Sequence, residues 1–119
     1  MDIEVLRMYC LTKPAVTEGF PFDETTLVFK VMGKMFALLS LDSMPSQINL
    51  KCDPEKAIEL RAEYPTILPG YHMSKTHWNT LILDGSIPQQ LVFELIDHSY
   101  QLVFAGLPKK VREQVKEEL

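Results

Sequence analysis

Cysteine is scarce in this chain: Cys10 and Cys52 are the only two among 119 residues. Neither stands in a CxxC pair, which excludes a disulfide framework and a four-thiolate zinc site and leaves two free thiols in a reducing compartment as the expectation. A cationic surplus is missing too. Twelve Lys and Arg face sixteen Asp and Glu, for a formal net charge of −4. Affinity for a phosphate backbone is carried by lysine and arginine, so a nucleic-acid role requires a local basic patch. No apolar run approaches the ~18 residues of a membrane span, and no membrane partner is expected. The opening MDIEVLRMYC has no basic start, apolar centre or small-residue cleavage site, which points to a cytoplasmic location. There is no GxSxG, HExxH, phosphate loop or dinucleotide fingerprint, so the expectation is a protein that is not an enzyme, with no catalytic residues and no cofactor.

What is present fits one compact domain, residues 1–119, with 46% hydrophobic and 24% charged residues. Asp2 caps a first helix in which Ile3, Leu6, Tyr9 and Cys10 recur at three- and four-residue intervals until Lys13-Pro14. Gly19-Phe20-Pro21-Phe22 reads as an ordered aromatic turn, because Pro21 removes a donor and forces Phe20 out of helix. TTLVFKV and KMFALLSL then form a hairpin around Met32-Gly33, with Leu27, Phe29 and Val31 toward the core and Thr26, Val28 and Lys30 away from it. Ser46 to Cys52 is a further strand by strict alternation: Ile48, Leu50 and Cys52 on one face, Gln47, Asn49 and Lys51 on the other.

Asp53-Pro54-Glu55 starts a second helix that runs to about Tyr64. The strand HWNTLIL follows and ends at Asp84-Gly85; in it Leu81 and Leu83 compete with Trp78 and Ile82 for the core. The polar sheet face therefore gains either His77 and Asn79 or Trp78 and Thr80. Ser86-Ile87-Pro88 opens the longest helix, with a stripe of Leu91, Val92, Leu95, Ile96, Ser99, Leu102 and Val103, and Gly106 and Pro108 end it. The charged tail, residues 110–119, has only Val111, Val115 and Leu119 to bury and reads as a weakly docked or frayed helix. The pattern predicts an α+β fold of two layers: a mainly antiparallel five-stranded sheet with helices packed on one face, in the order α-β-β-β-α-β-β-α.

The segment PGYHMSKTHWNT concentrates His72, Lys75, His77 and Trp78. No metal site is expected from it, since a spacing of five puts His72 and His77 on opposite faces of a continuous strand and no third ligand from Cys10, Cys52 or His98 has a recognised spacing. Cys52 precedes a helix N-terminus, but Asp53 and inward parity favour an inert thiol. Glu18, Asp23 and Glu24 read as a solvated turn rather than paired catalytic carboxylates. For a nucleic acid, Lys30, Lys34, Lys51 and Lys75, with Lys109 and Lys110, form one patch if the two hairpins lie side by side. For a protein partner or a second copy of the chain, Phe93, Tyr100 and Phe104 share a helical line beside the main stripe; burial under the chain's own tail is the competing reading.

The blocks TEGFPFDETTLVFKVMGKMFALL, NLKCDPEKAIELRAEYPTILPGYHMSKTHWNTLILDG and DHSYQLV resemble the MmcQ/YjbR family, over almost everything up to about residue 108. The resemblance implies a small α/β domain similar to type III secretion chaperones and the frataxin-like CyaY shape. It also implies DNA binding through a double wing of two hairpins. On these positions the wings are the hairpin around Met32-Gly33 and the segment from Tyr71 to Leu83, with Lys30, Lys34, Lys51, His72, Lys75, His77 and Trp78 as contacts. It implies no catalytic residue. A protein-interaction, adaptor or chaperone-like domain is the alternative function.

Overall fold

A computed structural model of the chain describes residues 2–117. Its helices and strands run α1 (Ile3–Leu11), β1 (Val16–Gly19), β2 (Thr26–Val31), β3 (Lys34–Ser40), β4 (Gln47–Lys51), α2 (Pro54–Glu63), β5 (Ile67–Pro69), β6 (Trp78–Ile82), α3 (Gln89–Ala105) and α4 (Lys109–Glu117). The strands make one sheet in the order β1-β2-β3-β4-β6-β5, every pairing antiparallel. The α+β, two-layer expectation holds, but the sheet has six strands and not five. The extra one is β1, whose four residues are too few to show an alternation and which is tied down from outside: Arg7 of α1 grips Glu18 through two 2.7 Å bonds.

The helix starts follow the local chemistry. Asp2 accepts from the Glu4 amide and Asp53 from the Lys56 amide, so each first turn has a partner for an otherwise orphaned donor. The Met32-Gly33 turn closes the β2–β3 hairpin with both central residues at positive φ, 49° and 83°, the two-residue geometry that matches strand twist.

One core lies between the sheet and the helices. Leu27, Phe29, Val31, Ile48, Leu50 and Cys52 enter it as alternation predicts, and the helices contribute residues such as Leu6, Leu60, Val92 and Ile96. The competition in β6 is won by Leu81 and Leu83, which join this core; Trp78 turns to the opposite face and packs with Val28 and Leu38. α3 differs from the predicted stripe: Leu91 and Leu102 are only partly buried. Tyr100 is buried there, 5% exposed, where Leu102 was expected. The tail is firmer than predicted, because α4 is helical and buries Val115 to 1% exposure; Leu119 lies outside the described residues.

A β-bulge shapes the middle of the sheet. Phe29 pairs with Ala37 and Lys30 with Met35, so Phe36 is an extra residue, and Phe36 and Ala37 both enter the core. The irregularity extends to β4, where the buried Ser99 hydroxyl of α3 donates to the Phe36 carbonyl and accepts from the Lys51 amide at 2.9 Å. One side chain thereby satisfies backbone groups of two strands.

Candidate functional site

With the four helices on one side, the other face of the sheet carries the residues that alternation turns outward. Register orders them into rows. Thr26, Ser40, Gln47 and Ile82 form one row across β2, β3, β4 and β6; Val28, Leu38, Asn49 and Thr80 form the next. At one end of the sheet Lys30 lies opposite Met35 and Lys51 opposite Trp78. Strand spacing puts the backbones of Lys30 and Lys51, two strands apart, about 10 Å from each other.

The loop between β5 and β6 rises at this same end. Gly70 makes it possible: a Cβ there would sit 2.8 Å from the Trp78 Cβ and 3.0 Å from the Trp78 carbonyl oxygen, so only glycine lets the two backbones approach, with the Gly70 amide donating to that oxygen at 2.8 Å. The chain then turns back on Ser74, whose carbonyl accepts from the amides of His77 and Trp78. Lys75 is exposed, its ammonium 5.1 Å from the centroid of the Tyr71 ring, and Arg61 of α2 donates to its carbonyl.

The predicted nucleic-acid residues are therefore only partly brought together. Lys30, Lys51 and His72 share one end and the outer face, and Lys75 stands in the loop at that end, its carbonyl held by Arg61 of α2. Lys34 is at that end, but it pairs with the core-facing Val31 and so starts on the helix side. His77 is exposed in the turn, and its carbonyl accepts from the Cys52 amide. Trp78 is 9% exposed among Val28, Leu38, Met35 and Met73, so its ring anchors the loop and offers no stacking surface. Lys109 and Lys110 open α4, which packs Val111 against the core on the helix side, away from the row.

Beside the lysine end is a cleft of about 600 Å³. Its floor is the two rows, from Thr26, Ser40 and Gln47 to Leu38, Asn49 and Thr80; Phe22 and Asp23 wall it on one side, His72 and Met73 on another. No lysine or arginine lines it. The Asp23 carboxylate is occupied by the Thr25 and Thr26 amides, at 2.9 and 2.6 Å, and by the Thr26 hydroxyl, and these bonds hold it below the usual carboxylate range. At the opposite end from the lysines, the β1–β2 and β3–β4 loops expose Phe20, Leu41 and Met44 beyond the cleft wall Phe22, which is itself exposed; Met44 is 94% exposed.

The other candidates are structural. Burial pushes the Cys10 thiol up to about 12 and the Cys52 thiol up to about 11, so neither ionises near neutral pH. Glu18 is held by Arg7 and Asp23 caps its own turn. Among the described residues no three His, Cys, Asp or Glu side chains gather in metal-binding geometry. The line Phe93, Tyr100 and Phe104 is not a free surface. Tyr100 packs edge-on to Phe36 and donates to the Pro14 carbonyl at 2.6 Å, Phe104 stacks on it, and Phe93 stacks on Tyr9 at 4.2 Å. The cleft floor was not foreseen as a site, because hydroxyl and amide residues scattered over four strands carry no linear spacing; nor was Ser99, which sits in an apolar stripe.

Comparison with known proteins agrees with this architecture. The family model YjbR matches residues 11–102. Escherichia coli K12 YjbR is 34% identical over 112 residues, covering 94% of this chain and 95% of that protein. YbdF of Escherichia coli O157:H7 is 40% identical over 114 residues, covering 95% and 93%. Among solved structures, the DUF419 domain of Deinococcus radiodurans DR2400 superposes with a TM-score of 0.90 at 43% identity, covering 96% of this chain and 87% of that one. A Pseudomonas syringae protein gives a TM-score of 0.74 at 29% identity, covering 86% and 98%. Among the described residues no helix is long and apolar enough to cross a membrane. With a family model spanning most of its length and relatives matched almost end to end, the chain belongs to the YjbR family.

Proposed function

We propose that this is a noncatalytic cytoplasmic binding domain that holds DNA on the outer face of its sheet, with Lys30, Lys51 and Lys75 meeting phosphates. The observation that carries this reading is the register: it lines up Lys30 and Lys51 at the end of the sheet from which the His72–Lys75 loop rises. None of the three lysines takes part in an ion pair among the described residues, so their charge is available to a ligand. In a chain of net charge −4 such a local grouping is the form that phosphate affinity must take.

Fluorescence anisotropy of labelled DNA, titrated at several salt concentrations, tests it. Lys51→Glu with Lys75→Glu should weaken binding at least tenfold and lower the salt slope by about 2, roughly one unit per lost phosphate contact. No complex with the native protein at low salt rejects the reading. A second reading, a protein partner or a second copy of the chain, is favoured by the exposed Phe20, Phe22, Leu41 and Met44 at the far end of the same face. Concentration-dependent sedimentation that Met44→Asp abolishes would support it.

A further inference from the structure

We infer that the cleft takes an unpaired nucleobase, so that the ligand of this face is single-stranded DNA rather than an intact duplex; the inference rests on the nucleic-acid reading above. The cleft and the lysine end divide chemistry as a nucleotide does. A space of about 600 Å³ is of the size that encloses a small ring system, while the convex, uniformly charged duplex cannot enter it. Its interior repels phosphate and welcomes a neutral ring: no lysine or arginine lines it, and its one carboxylate, Asp23, is ionised and bonded to the Thr25 and Thr26 amides and the Thr26 hydroxyl.

The floor has what a base edge requires. Gln47 presents a donor and an acceptor and Asn49, from the adjacent row, a donor, flanked by the hydroxyls of Ser40 and Thr80. The Thr80 hydroxyl donates to the Asn49 carbonyl oxygen at 2.5 Å, which fixes that amide and leaves its NH2 group without a partner among the described residues. For the ring faces there are Leu38, Met35 and Met73, and above all Phe22, which is 64% exposed and stacks on no other aromatic ring among the described residues. Met35 pairs with Lys30, and His72 and Met73 stand three and two residues before Lys75, so a base in the cleft would leave its phosphates beside the cations.

The test compares a labelled oligothymidine of about 12 nucleotides, within the ~4–16 nucleotides that single-strand sites cover, with the duplex of the same length. The single strand should bind at least tenfold more tightly. Phe22→Ala with Asn49→Ala should remove that preference and leave duplex affinity unchanged; Phe22 is on the surface, and a dispersed amide spectrum verifies the fold. In a 15N spectrum of the native protein, thymidine monophosphate should shift the Gln47 and Asn49 side-chain amides. Equal affinity for strand and duplex, untouched by the two cleft substitutions, overturns the base-in-cleft inference while DNA binding stands. Failure of both DNAs to bind at low salt overturns DNA binding and the inference with it. Side-chain amides that shift with an extended peptide and not with the nucleotide assign the cleft to protein segments and overturn the inference.

Discussion

Asn79 is the least comfortable residue in the molecule. It faces the helix side of β6 at 2% exposure, and neither its carbonyl oxygen nor its NH2 group has a hydrogen-bond partner among the described residues. Around it are Leu50, Cys52, Leu60, Leu81 and Leu95, and Lys51, which also borders this space, belongs with Trp78 to the opposite face. A buried amide left unpaired costs ~1–3 kcal/mol, so Asn79→Leu, close in volume, should raise stability by about 1–2 kcal/mol in urea unfolding. A fall would mean that the amide is satisfied in solution. His98 gives the opposite kind of dependence. Its Nε2 accepts from the Asp53 amide at 3.1 Å, which only the neutral ring can do, and burial, aided by Lys56, holds its pKa below the ordinary 6.5. The unfolded chain therefore takes up the proton first. The contribution of His98 is complete above about pH 6.5 and is lost as pH falls through the lower folded value. His98→Gln, whose carbonyl can also accept, should flatten the decline in urea midpoint between about pH 7.5 and about pH 5.

Among the elements, the starts of the helices were legible in the sequence because their causes are local: Asp53, Pro54 and Glu55 are adjacent and complete a cap by themselves. Features that depend on a distant strand were not. β1 exists because β2 pairs with it, and the parity of β6 stayed open because both of its faces bury apolar groups, Leu81 toward the helices and Trp78 toward Val28 and Leu38. The bulge at Phe36 could not be read at all, since an inserted residue between two apolar neighbours leaves the composition unchanged. Its dependence on Ser99 makes a clear prediction. Ser99→Ala would strand the Phe36 carbonyl and the Lys51 amide, and should cost about 2–3 kcal/mol and, on the proposed function, weaken DNA binding through a displaced Lys51. Gly70→Ala should lower stability and displace the loop together: the Cβ must push against the Trp78 backbone, so amide shifts from Tyr71 to His77 should change together.

At the scale of the whole molecule, two layers, one core and a free outer face follow from alternation and amphipathic stripes, and these were legible. The grouping of charge on that face was less so. Which lysines converge is a matter of strand order, and Lys109 and Lys110, candidates by charge alone, fall on the far side of the sheet with α4. Removal of residues 109–119 should accordingly lower the melting temperature, because Val115 is lost from its buried position, yet leave the proposed affinity for DNA unchanged. A parallel loss of binding in the truncated chain would move the phosphate contacts to the helical layer.

The outermost strands are short, four residues in β1 and three in β5, and β5 both follows Pro65 and ends on Pro69. Their free margins offer an incoming chain too few backbone groups to extend the pleat, and proline supplies none of the donors such growth needs. Concentrated solutions should then resist fibril seeding even though the molecule displays bare aromatic rings.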